Sequence, residues 1–446
     1  MKILQYTLGL PPYRRGGLPR YSKDLSLELV KDKRNEVLML YPGRIFLKNS
    51  NKIFFKNKKT IYPFKVIEMI NPLPVSLGLG IDKAAPYMEP RNKKQIQRFL
   101  HKVSPNVIHI HTLMGLPLEF LEVAKKLKIR IVFTTHDFYG LCPKMLKHDP
   151  KHFLKNRACT FDCMLCKHGP TLKKIKVMQS PLYVHLKDKK IIRLIRKRQK
   201  KQLSLNINSK KDPITSLEIN DRYKLRLYYQ KMFGLIDIFH FNSNVSKEYF
   251  KKFLPNTKGK VISISHDGLE DNRNKSRTIN NFKIKLGYVG PYDDKKGFFK
   301  LSEALCEIRK KTSNFEFHAY GDIIDSPIFK NNWAINHGII PSNQMAHVYR
   351  NIDILILPSL WHETFGFVVL EALLQGTPCL LSTNVGAKDL VPNNWIFYGE
   401  NELNSKLVKI LEHKDILEKM TNKVKTLALP FDMKKHTQRI IYEIYK

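Results

Sequence analysis

The sequence predicts an α/β fold built from two doubly wound parallel-sheet domains, and three observations lead to this prediction. Short β-rich runs alternate with helical patterns along most of the 446 residues. The β-rich runs are almost continuously apolar, which is typical of parallel strands covered by helices on both faces. The chain is long enough for two or three domains, and 43% of its residues are hydrophobic, as a substantial core requires.

The individual elements follow in order along the chain. In the first half, strands are predicted at 2–7, 36–41, 106–111 and 130–136, with helices beginning near residue 16 and near Pro117. In the second half, strands are predicted at 237–243, 260–265, 283–290, 314–321, 352–359 and 377–383. A loop and usually a helical pattern follow each run, so we expect connections of the βαβ kind.

The domain boundaries follow from changes in composition. A polar, asparagine-rich stretch at 269–281 separates the halves, so we predict a first domain at 1–268 and a second at 282–430. The pattern of 431–446 predicts an amphipathic C-terminal helix. Packing of this helix on the first domain is one possibility that the sequence leaves open. A stretch with cysteines and many basic residues, at about 142–231, is interpreted as an insertion in the first domain.

The charge balance is strongly basic: 78 lysines and arginines stand against 39 aspartates and glutamates. This favours anionic partners such as nucleic acid, acidic lipid or phosphorylated ligands, although a coding bias toward lysine and asparagine explains it equally well. No run approaches the ~18 apolar residues of a membrane span. The N-terminus fits a strand better than a signal peptide, because Arg14 and Arg15 follow a short apolar stretch. We therefore expect a cytoplasmic protein.

A carboxylate lies in the middle of an apolar helical pattern in the stretch 361–376. Glu371 follows Glu363 by eight residues, and it needs a partner because burying an unpaired charge is costly. The loop before the helix presents backbone N–H groups that can bind phosphate, and Gly366 lets a ligand approach the backbone. Glu371 can then accept hydrogen bonds from the vicinal hydroxyls of a ribose. In the alternative interpretation, Glu371 is exposed or salt-bridged to protein.

This stretch resembles the signature of the family 4 retaining glycosyltransferases. The shared positions are Glu363, Phe365, Gly366, Glu371, Gly376 and Pro378. Further similar segments are the glycines after the first strand, KLGYVGPYDDKKG and STNVGAKDLV, so the resemblance extends from about residue 10 to about residue 400. It implies the GT-B fold, in which two Rossmann-like domains face each other across a cleft. The second domain would bind a nucleotide-sugar and the first an acceptor.

The resemblance implies a donor site and a catalytic role for three residues. The donor-binding residues would be Gly16, Gly17, Gly290, Lys296, Thr364, Phe365, Gly366, Phe367 and Glu371, and the catalytic residues Glu363, His136 and Lys296. Glu363 would hold the sugar hydroxyls and Glu371 the ribose, while Lys296 and the helix dipole would stabilise the diphosphate without a catalytic metal. The family often has an arginine where Pro291 stands here, which leaves more of this task to Lys296.

Two residues at the end of the strand predicted at 130–136 are candidates for the acceptor side. The ends of parallel strands are where α/β sites form, and the family often places an active-site histidine there. His136 and Asp137 therefore belong to the predicted site, unless His136 is a core or capping residue. On the neighbouring predicted strand, we interpret His109 as a core residue and His111 as a candidate for the cleft.

Four cysteines lie within 25 residues of one another, at Cys142, Cys159, Cys163 and Cys166. Four thiolates so close in sequence can form a tetrahedral zinc site, and an intracellular location favours metal over disulfides. A subset of the same family has a similar cluster. We predict structural zinc, with an iron–sulfur cluster or unliganded or disulfide-bonded thiols as the alternatives.

A basic segment at 187–202 places Ile191, Leu194 and Ile195 on one helical face among lysines and arginines. This pattern is typical of a helix lying on an anionic membrane, and equally of a solvated basic helix packed on the domain. A membrane role would suit a lipid-linked acceptor and a peripheral location on the inner face of the plasma membrane.

The function predicted from the sequence is a retaining glycosyltransferase that moves a sugar from a nucleotide-sugar to a glycan or lipid-linked acceptor. It would act in the assembly of cell-surface polysaccharide or glycolipid. Two alternatives remain: a glycosyltransferase-like scaffold with weak or no catalysis, suggested by Pro291, and a zinc-containing nucleic-acid-binding protein. The second is disfavoured, because no nucleic-acid-binding module is recognisable and the basic residues are spread along the chain.

Overall fold

The computed structural model describes residues 1–11, 14, 16–46, 52–77, 80–141, 171–186, 215–275 and 283–446. The chain divides into two compact units. The first consists of Met1–His240, Phe250–Lys260 and Arg439–Lys446, and the second of Phe241–Tyr249 and Val261–Gln438. Both are α/β units built on a mainly parallel sheet, as the sequence predicts.

The first sheet has eight strands. They are β1 (Lys2–Tyr6), β2 (Glu36–Pro42), β3 (Phe54–Lys58), β4 (Lys65–Ile70), β5 (Val107–Ile110), β6 (Arg130–Thr134), β7 (Ile238–Phe241) and β8 (Gly259–Val261). Their order is β3-β4-β2-β1-β5-β6-β7-β8, and β3 pairs antiparallel with β4. The other pairings from β4 to β7 are parallel.

The helices of this half are α1 (Gly17–Lys31), α2 (Lys93–Val103), α3 (Leu118–Lys126), α4 (Leu172–Met178), α5 (Pro181–Leu186), α6 (Ser216–Gly234) and α7 (Asn244–Phe253). A capping box starts α6, because Thr215 accepts from the Glu218 N–H while the Glu218 side chain accepts from the Thr215 N–H. The hydroxyl groups of Tyr229 in α6 and Tyr139 lie 2.7 Å apart. The insertion predicted at 142–231 therefore ends inside a helix that packs into the core of the first unit.

The second sheet has six strands, all parallel. They are β9 (Ile284–Val289), β10 (Phe315–Tyr320), β11 (Ala334–Asn336), β12 (Ile354–Leu357), β13 (Cys379–Ser382) and β14 (Ile396–Phe397), in the order β11-β10-β9-β12-β13-β14. The later helices are α8 (Phe298–Arg309), α9 (Met345–Arg350), α10 (Phe367–Leu374), α11 (Gly399–Glu412), α12 (Lys414–Val424) and α13 (Met433–Ile440), and a π-helical turn follows at Ile441–Tyr445.

Both sheets have a topological switch point, where successive crossovers leave in opposite directions. In the first sheet it lies between β1 and β5, and in the second between β9 and β12. In open parallel sheets, ligands bind outside the carboxyl ends of the strands at such points. The loops after β1 and β5, and those after β9 and β12, are therefore the places to look for a site.

Several elements differ from the sequence prediction. The strand predicted at 260–265 is limited to β8, and β3 and β4 were not predicted. The polar run 269–281 is described only as far as Lys275. Among the described residues, no helix is both long and apolar enough to cross a membrane. The basic segment 187–202 lies outside the described residues.

Candidate functional site

The loops after β9 and β12 bring two predicted site residues together in the second unit. Lys296 comes from the loop after β9, and Glu363 from the loop after β12. The Lys296 Nζ atom lies 2.9 Å from Glu363 Oε1, and the Glu363 side chain is only 9% exposed. The hydroxyl of Ser359 donates a second hydrogen bond to the same oxygen. Oε1 is thus engaged by two protein groups.

The backbone around Glu363 is held on both sides by the loop after β13. The Glu363 N–H donates to the carbonyl of Asn384 at 2.9 Å, and the Glu363 carbonyl accepts from the Gly386 N–H at 3.0 Å. These bonds form an isolated parallel bridge between Glu363 and Val385. A carboxylate on a backbone fixed in this way has little freedom to turn toward solvent.

Lys296 is positioned by its neighbours as well as by Glu363. Its backbone N–H donates to Asp293 Oδ1 at 2.8 Å, and its ammonium lies 5.1 Å from the centre of the Trp361 ring, within cation–π range. The next residue, Gly297, has a φ of +73°, and a Cβ there would lie 2.0 Å from the Pro358 carbonyl oxygen. Only glycine lets the two loops approach this closely.

The start of α10 lies beside this ion pair. Gly366 precedes the helix with a φ of +102°, and no side chain caps the helix start. A Cβ on Gly366 would lie 3.6 Å from Glu363 Oε2. Before it, the Thr364 carbonyl accepts a hydrogen bond from the Ser243 hydroxyl at 2.5 Å. Phe365 is buried, whereas Phe367 is half-buried. The helix dipole and the first N–H groups of α10 therefore favour an anion near Glu363.

Glu371, which lies further along α10, has protein partners on both carboxylate oxygens. His266 Nε2 lies 3.0 Å from Oε1, and the Tyr349 hydroxyl donates to Oε2 at 2.8 Å. The other nitrogen of His266 lies 2.8 Å from the Asp267 carbonyl oxygen, and its ring packs edge-on against Phe367. The side chain of Glu371 is 18% exposed. The need for a partner inferred from the sequence is met by protein groups.

In the first unit, His136 follows β6 and contacts His111, which follows β5. Nδ1 of His111 lies 3.2 Å from Nε2 of His136. Burial, followed by neighbouring histidines, lowers the pKa of both rings well below the usual value, so both are neutral near pH 7. Asp137 accepts the Tyr139 N–H at 2.9 Å, and burial raises the pKa of its carboxyl to about 6.

Comparison with known families gives two matches along the chain. The family described as Glycosyltransferase Family 4 matches residues 15–166, and the family described as Glycosyl transferases group 1 matches residues 270–426. The second match contains Lys296, Glu363 and Glu371.

The chain belongs to the family 4, group 1 glycosyltransferases.

Solved structures share the fold of this glycosyltransferase at low sequence identity. HepE of Anabaena in complex with UDP and glucose is 14% identical with a TM-score of 0.54, covering 99% of this chain and 98% of that one. The structure described as trehalose-6-phosphate from E. coli bound with UDP-2-fluoro glucose has a TM-score of 0.56 at 11% identity, covering 100% and 99%. The lipopolysaccharide outer core galactosyltransferase WaaB has a TM-score of 0.54 at 13% identity, covering 99% of both chains. These neighbours confirm the predicted GT-B fold class.

A curated relative of this glycosyltransferase is described as "Uncharacterized 42.6 kDa protein in cps region" of Klebsiella pneumoniae. It is 22% identical over 369 residues, which span 80% of this chain and 78% of that protein.

The remaining predicted residues of this glycosyltransferase lie elsewhere. Gly16 and Gly17 belong to the first unit, where Gly16 precedes α1 with a φ of +124°. Gly290 follows β9, and its N–H donates to the Tyr320 carbonyl at 2.9 Å. The four clustered cysteines lie outside the described residues. Within the described ranges, no group of three or more metal-ligating side chains is placed to hold an ion.

Sequence reasoning gave no role in the site to four residues of this glycosyltransferase. Ser359 and Tyr349 contact the two glutamates, but neither belongs to a motif. His266 was given no role, although its position directly after the apolar run 260–265 was a signal for a site residue. Trp361, beside Lys296, is the first residue of the stretch singled out in the sequence and was given no role.

Proposed function

We propose that this glycosyltransferase moves a sugar from a uridine diphosphate sugar to a glycan or lipid-linked acceptor, with retention of anomeric configuration. The observation that carries the proposal is the Lys296–Glu363 pair beside the uncapped start of α10. A cation and a helix N-terminus suit a diphosphate, and an adjacent fixed carboxylate suits sugar hydroxyls. Neighbouring structures that hold UDP or a UDP-sugar analogue favour uridine as the base.

In this proposal the diphosphate binds at Gly366 and Lys296. The ammonium group has three donors, so it can keep its bond to Glu363 and still donate to a phosphate oxygen. When the bond from the anomeric carbon to the diphosphate breaks, its electron pair leaves with UDP. Lys296 and the α10 dipole then stabilise the growing negative charge where it develops. Phe365, Phe367 and Thr364 would line this part of the donor site, with Gly290 at the neighbouring strand end.

The sugar would be held by Glu363 through its second carboxylate oxygen. Oε1 is already engaged by Lys296 and Ser359, whereas Oε2 lies on the side of Gly366. The acceptor oxygen would bond to the anomeric carbon on the face that UDP leaves, and its proton would pass to the departing diphosphate. Retention follows from attack on the same face.

Glu371 would bind the ribose of UDP with its carboxylate, which also bonds to His266 and Tyr349. The two protein partners fix the direction of the carboxylate before the nucleotide arrives, so little ordering remains to be done on binding. For Gly16 and Gly17, which belong to the first unit, donor binding stays a prediction from the resemblance.

The acceptor side is proposed to include His136 and Asp137, with the four cysteines holding a structural zinc ion. The relative from a cps region and the lipopolysaccharide galactosyltransferase favour an acceptor in cell-surface polysaccharide or glycolipid assembly. Such an acceptor fits a cytoplasmic enzyme that binds an anionic membrane surface, and the net charge of +39 favours that surface.

The proposal is tested by calorimetric titration with UDP, GDP, ADP and CDP, using the wild type and two matched variants. Glu371→Gln keeps the shape of the side chain but removes its charge, and Glu316→Gln makes the same change on β10. We expect UDP to bind most tightly, Glu371→Gln to weaken it about tenfold or more, and Glu316→Gln to leave it unchanged, because a charged acceptor contributes roughly 1.5–3 kcal/mol.

Turnover is then measured as UDP release from a panel of UDP-sugars, with the anomeric configuration of any product read by NMR. Binding without release from any donor would support the scaffold alternative. Folded protein that binds none of the four nucleotides would refute the proposed donor site, and an inverted product would refute retention.

A further inference from the structure

The antiparallel hairpin of β3 and β4, at the edge of the first sheet, is strongly basic. The stretch 52–67 has no aspartate or glutamate, and its five lysines are Lys52, Lys56, Lys58, Lys59 and Lys65. Among the described residues, only Lys58 and Lys65 pair with a carboxylate. The partner of Lys58, at 3.8 Å, is Glu68, whose two oxygens are already bound by the Arg44 guanidinium. The hairpin therefore presents a positive surface.

An isoleucine protrudes from the turn of this hairpin, at residues 59–64. Of the large apolar side chains in the described ranges, that of Ile61 is the most exposed, at 95%. The Thr60 hydroxyl accepts the Tyr62 N–H at 3.1 Å, and this local bond shapes the chain on both sides of Ile61. Turn positions are usually polar, so an apolar side chain at the outermost point of a basic hairpin suggests an apolar partner.

The turn also borders a groove of about 470 Å³. Ile61, Tyr62 and Val66 line it from the hairpin, together with apolar and aromatic side chains of the loop after β1 and of β2, namely Leu10, Pro11 and Tyr41. Lys58 and Lys59 line the same groove. The exposed isoleucine, the apolar groove and two lysines therefore lie on one side of the hairpin, which matches a layer that is apolar inside and anionic at its surface.

Contacts with the rest of the first unit hold the turn in place. The Tyr62 hydroxyl donates to the Pro11 carbonyl at 3.3 Å, and the Tyr62 ring stacks on that of the buried Phe64 with 5.2 Å between the ring centres. In β3, the ring of Phe55 stacks on that of Phe99 in α2 at 3.7 Å. A side chain presented by a fixed turn binds a surface with little further loss of conformational freedom.

We propose that the turn 59–64 docks this glycosyltransferase on an anionic lipid bilayer, with Ile61 inserted among the acyl chains and Lys58 and Lys59 at the phosphate groups. The inference rests on the proposed function for its partner, an anionic membrane surface, and names the element that binds it. A second copy of the chain fits less well, because two such turns would bring like charges together. Nucleic acid fits the lysines but leaves Ile61 and the groove without a role.

Co-sedimentation of the full-length protein with vesicles tests this docking. The vesicles consist of phosphatidylcholine alone or of equal amounts of phosphatidylcholine and phosphatidylglycerol. We expect binding to the anionic vesicles, weakened about tenfold or more in Lys58→Gln/Lys59→Gln and about tenfold in Ile61→Ser.

Two matched controls lie in the second unit and should bind vesicles as the wild type does. Lys310→Gln/Lys311→Gln removes the same charge from another pair of adjacent lysines, and Ile339→Ser changes an isoleucine that is 67% exposed. Insertion is read separately from a tryptophan placed at each isoleucine. Brominated lipids should quench the added fluorescence of Ile61→Trp and not that of Ile339→Trp.

Several results would overturn the inference. Vesicle binding by Ile61→Ser as tight as that of the wild type, or unquenched fluorescence in Ile61→Trp, would show that the turn does not insert. An equal loss of binding in Lys310→Gln/Lys311→Gln would assign the binding to overall charge. Duplex DNA binding that depends on Lys58 and Lys59, with vesicle binding independent of them, would assign the surface to nucleic acid.

Calorimetric titration of the same variants with UDP separates this inference from the proposed function. We expect every variant to bind UDP with the Kd of the wild type, because the turn belongs to the first unit and the proposed UDP-binding residues to the second. A wild type that binds UDP but no anionic vesicles would overturn the docking alone. Vesicle binding through Ile61 in a protein that binds no UDP would refute the donor site and support the docking.

Discussion

Replacing Lys296 by methionine tests whether the ion pair with Glu363 holds the second unit together as the geometry indicates. Methionine keeps much of the length of the side chain and removes the charge. Among the described residues, the Glu363 carboxylate then keeps the Ser359 hydroxyl as its side-chain partner. A carboxylate that is 9% exposed and loses its cation must be desolvated without compensation.

The magnitude follows from burial. Breaking a buried ion pair by removing one partner costs about 3–5 kcal/mol. The Lys296 side chain is 23% exposed, which places the cost for Lys296→Met at the lower end, about 3 kcal/mol. In the double variant Lys296→Met/Glu363→Gln no charge is left unpaired, so we expect a loss of about 1 kcal/mol. The single and double variants thus differ by about 2 kcal/mol in the free energy of unfolding.

Tryptophan fluorescence during urea unfolding measures the change in free energy of unfolding of the second structural unit. The chain has three tryptophans, Trp333, Trp361 and Trp395, and all lie in the second unit. Lys300→Met is the matched control, because Lys300 lies in α8 and its side chain is 53% exposed. We expect the control to leave the unfolding midpoint unchanged.

The result that would refute this reasoning is a double variant no more stable than Lys296→Met alone. The lysine would then stabilise the unit through its contacts with Trp361 rather than through its charge. A loss in Lys300→Met as large as that in Lys296→Met would also contradict the assignment.

Three further predictions concern single residues. Because the pKa of Asp137 is raised from 3.8 to about 6, the free energy of unfolding should fall by about 3 kcal/mol as pH rises from 4 to 6 and then level off. Asp137→Asn should remove this pH dependence in circular dichroism melts, and a dependence that persists in the variant would contradict the prediction. Tyr349→Phe removes the hydroxyl bound to Glu371 and should lower the free energy of unfolding by about 1 kcal/mol in the fluorescence assay. An unchanged free energy of unfolding would contradict a stabilising role for that hydrogen bond. Gly297→Ala places a Cβ against the Pro358 carbonyl and should cost at least about 2 kcal/mol in the same assay, whereas wild-type stability would show that the loops can separate.

The sequence predicts the parallel strands well because their signal is local. Strands buried on both faces, such as β9 and β12, must be apolar throughout, and that pattern is visible without neighbours. The edge strand β3 was missed because FFKNK is largely exposed and has no apolar run. The strand predicted at 260–265 is shorter: β8 ends at Val261, and the Ile262 N–H makes one further bond to the Phe241 carbonyl at 2.9 Å.

The candidate site was predictable where a motif placed its residues close in sequence, or where the family resemblance supplied a distant residue such as Lys296. Glu363 and Gly366 share one loop, so their proximity follows from spacing. The partners of Glu371 are Tyr349, from a short helix, and His266, from a distant turn. Hydrogen bonds between such elements produce no periodic pattern in the sequence. Gln5 and Tyr445 are 440 positions apart, and only the fold brings the amide to the hydroxyl.

The course of the chain between the two units has a consequence for biosynthesis. Residues 439–446 complete the first unit, yet they are translated after the whole of 261–438, which belongs to the second. At ~5–20 residues per second, Tyr445 leaves the ribosome on the order of 10–40 s after His240. During this time the nascent first unit lacks its last segment, so the Gln5 amide and the His109 ring do not yet have the Tyr445 hydroxyl as a partner. A chaperone that shields exposed apolar surface would find its longest opportunity during that interval.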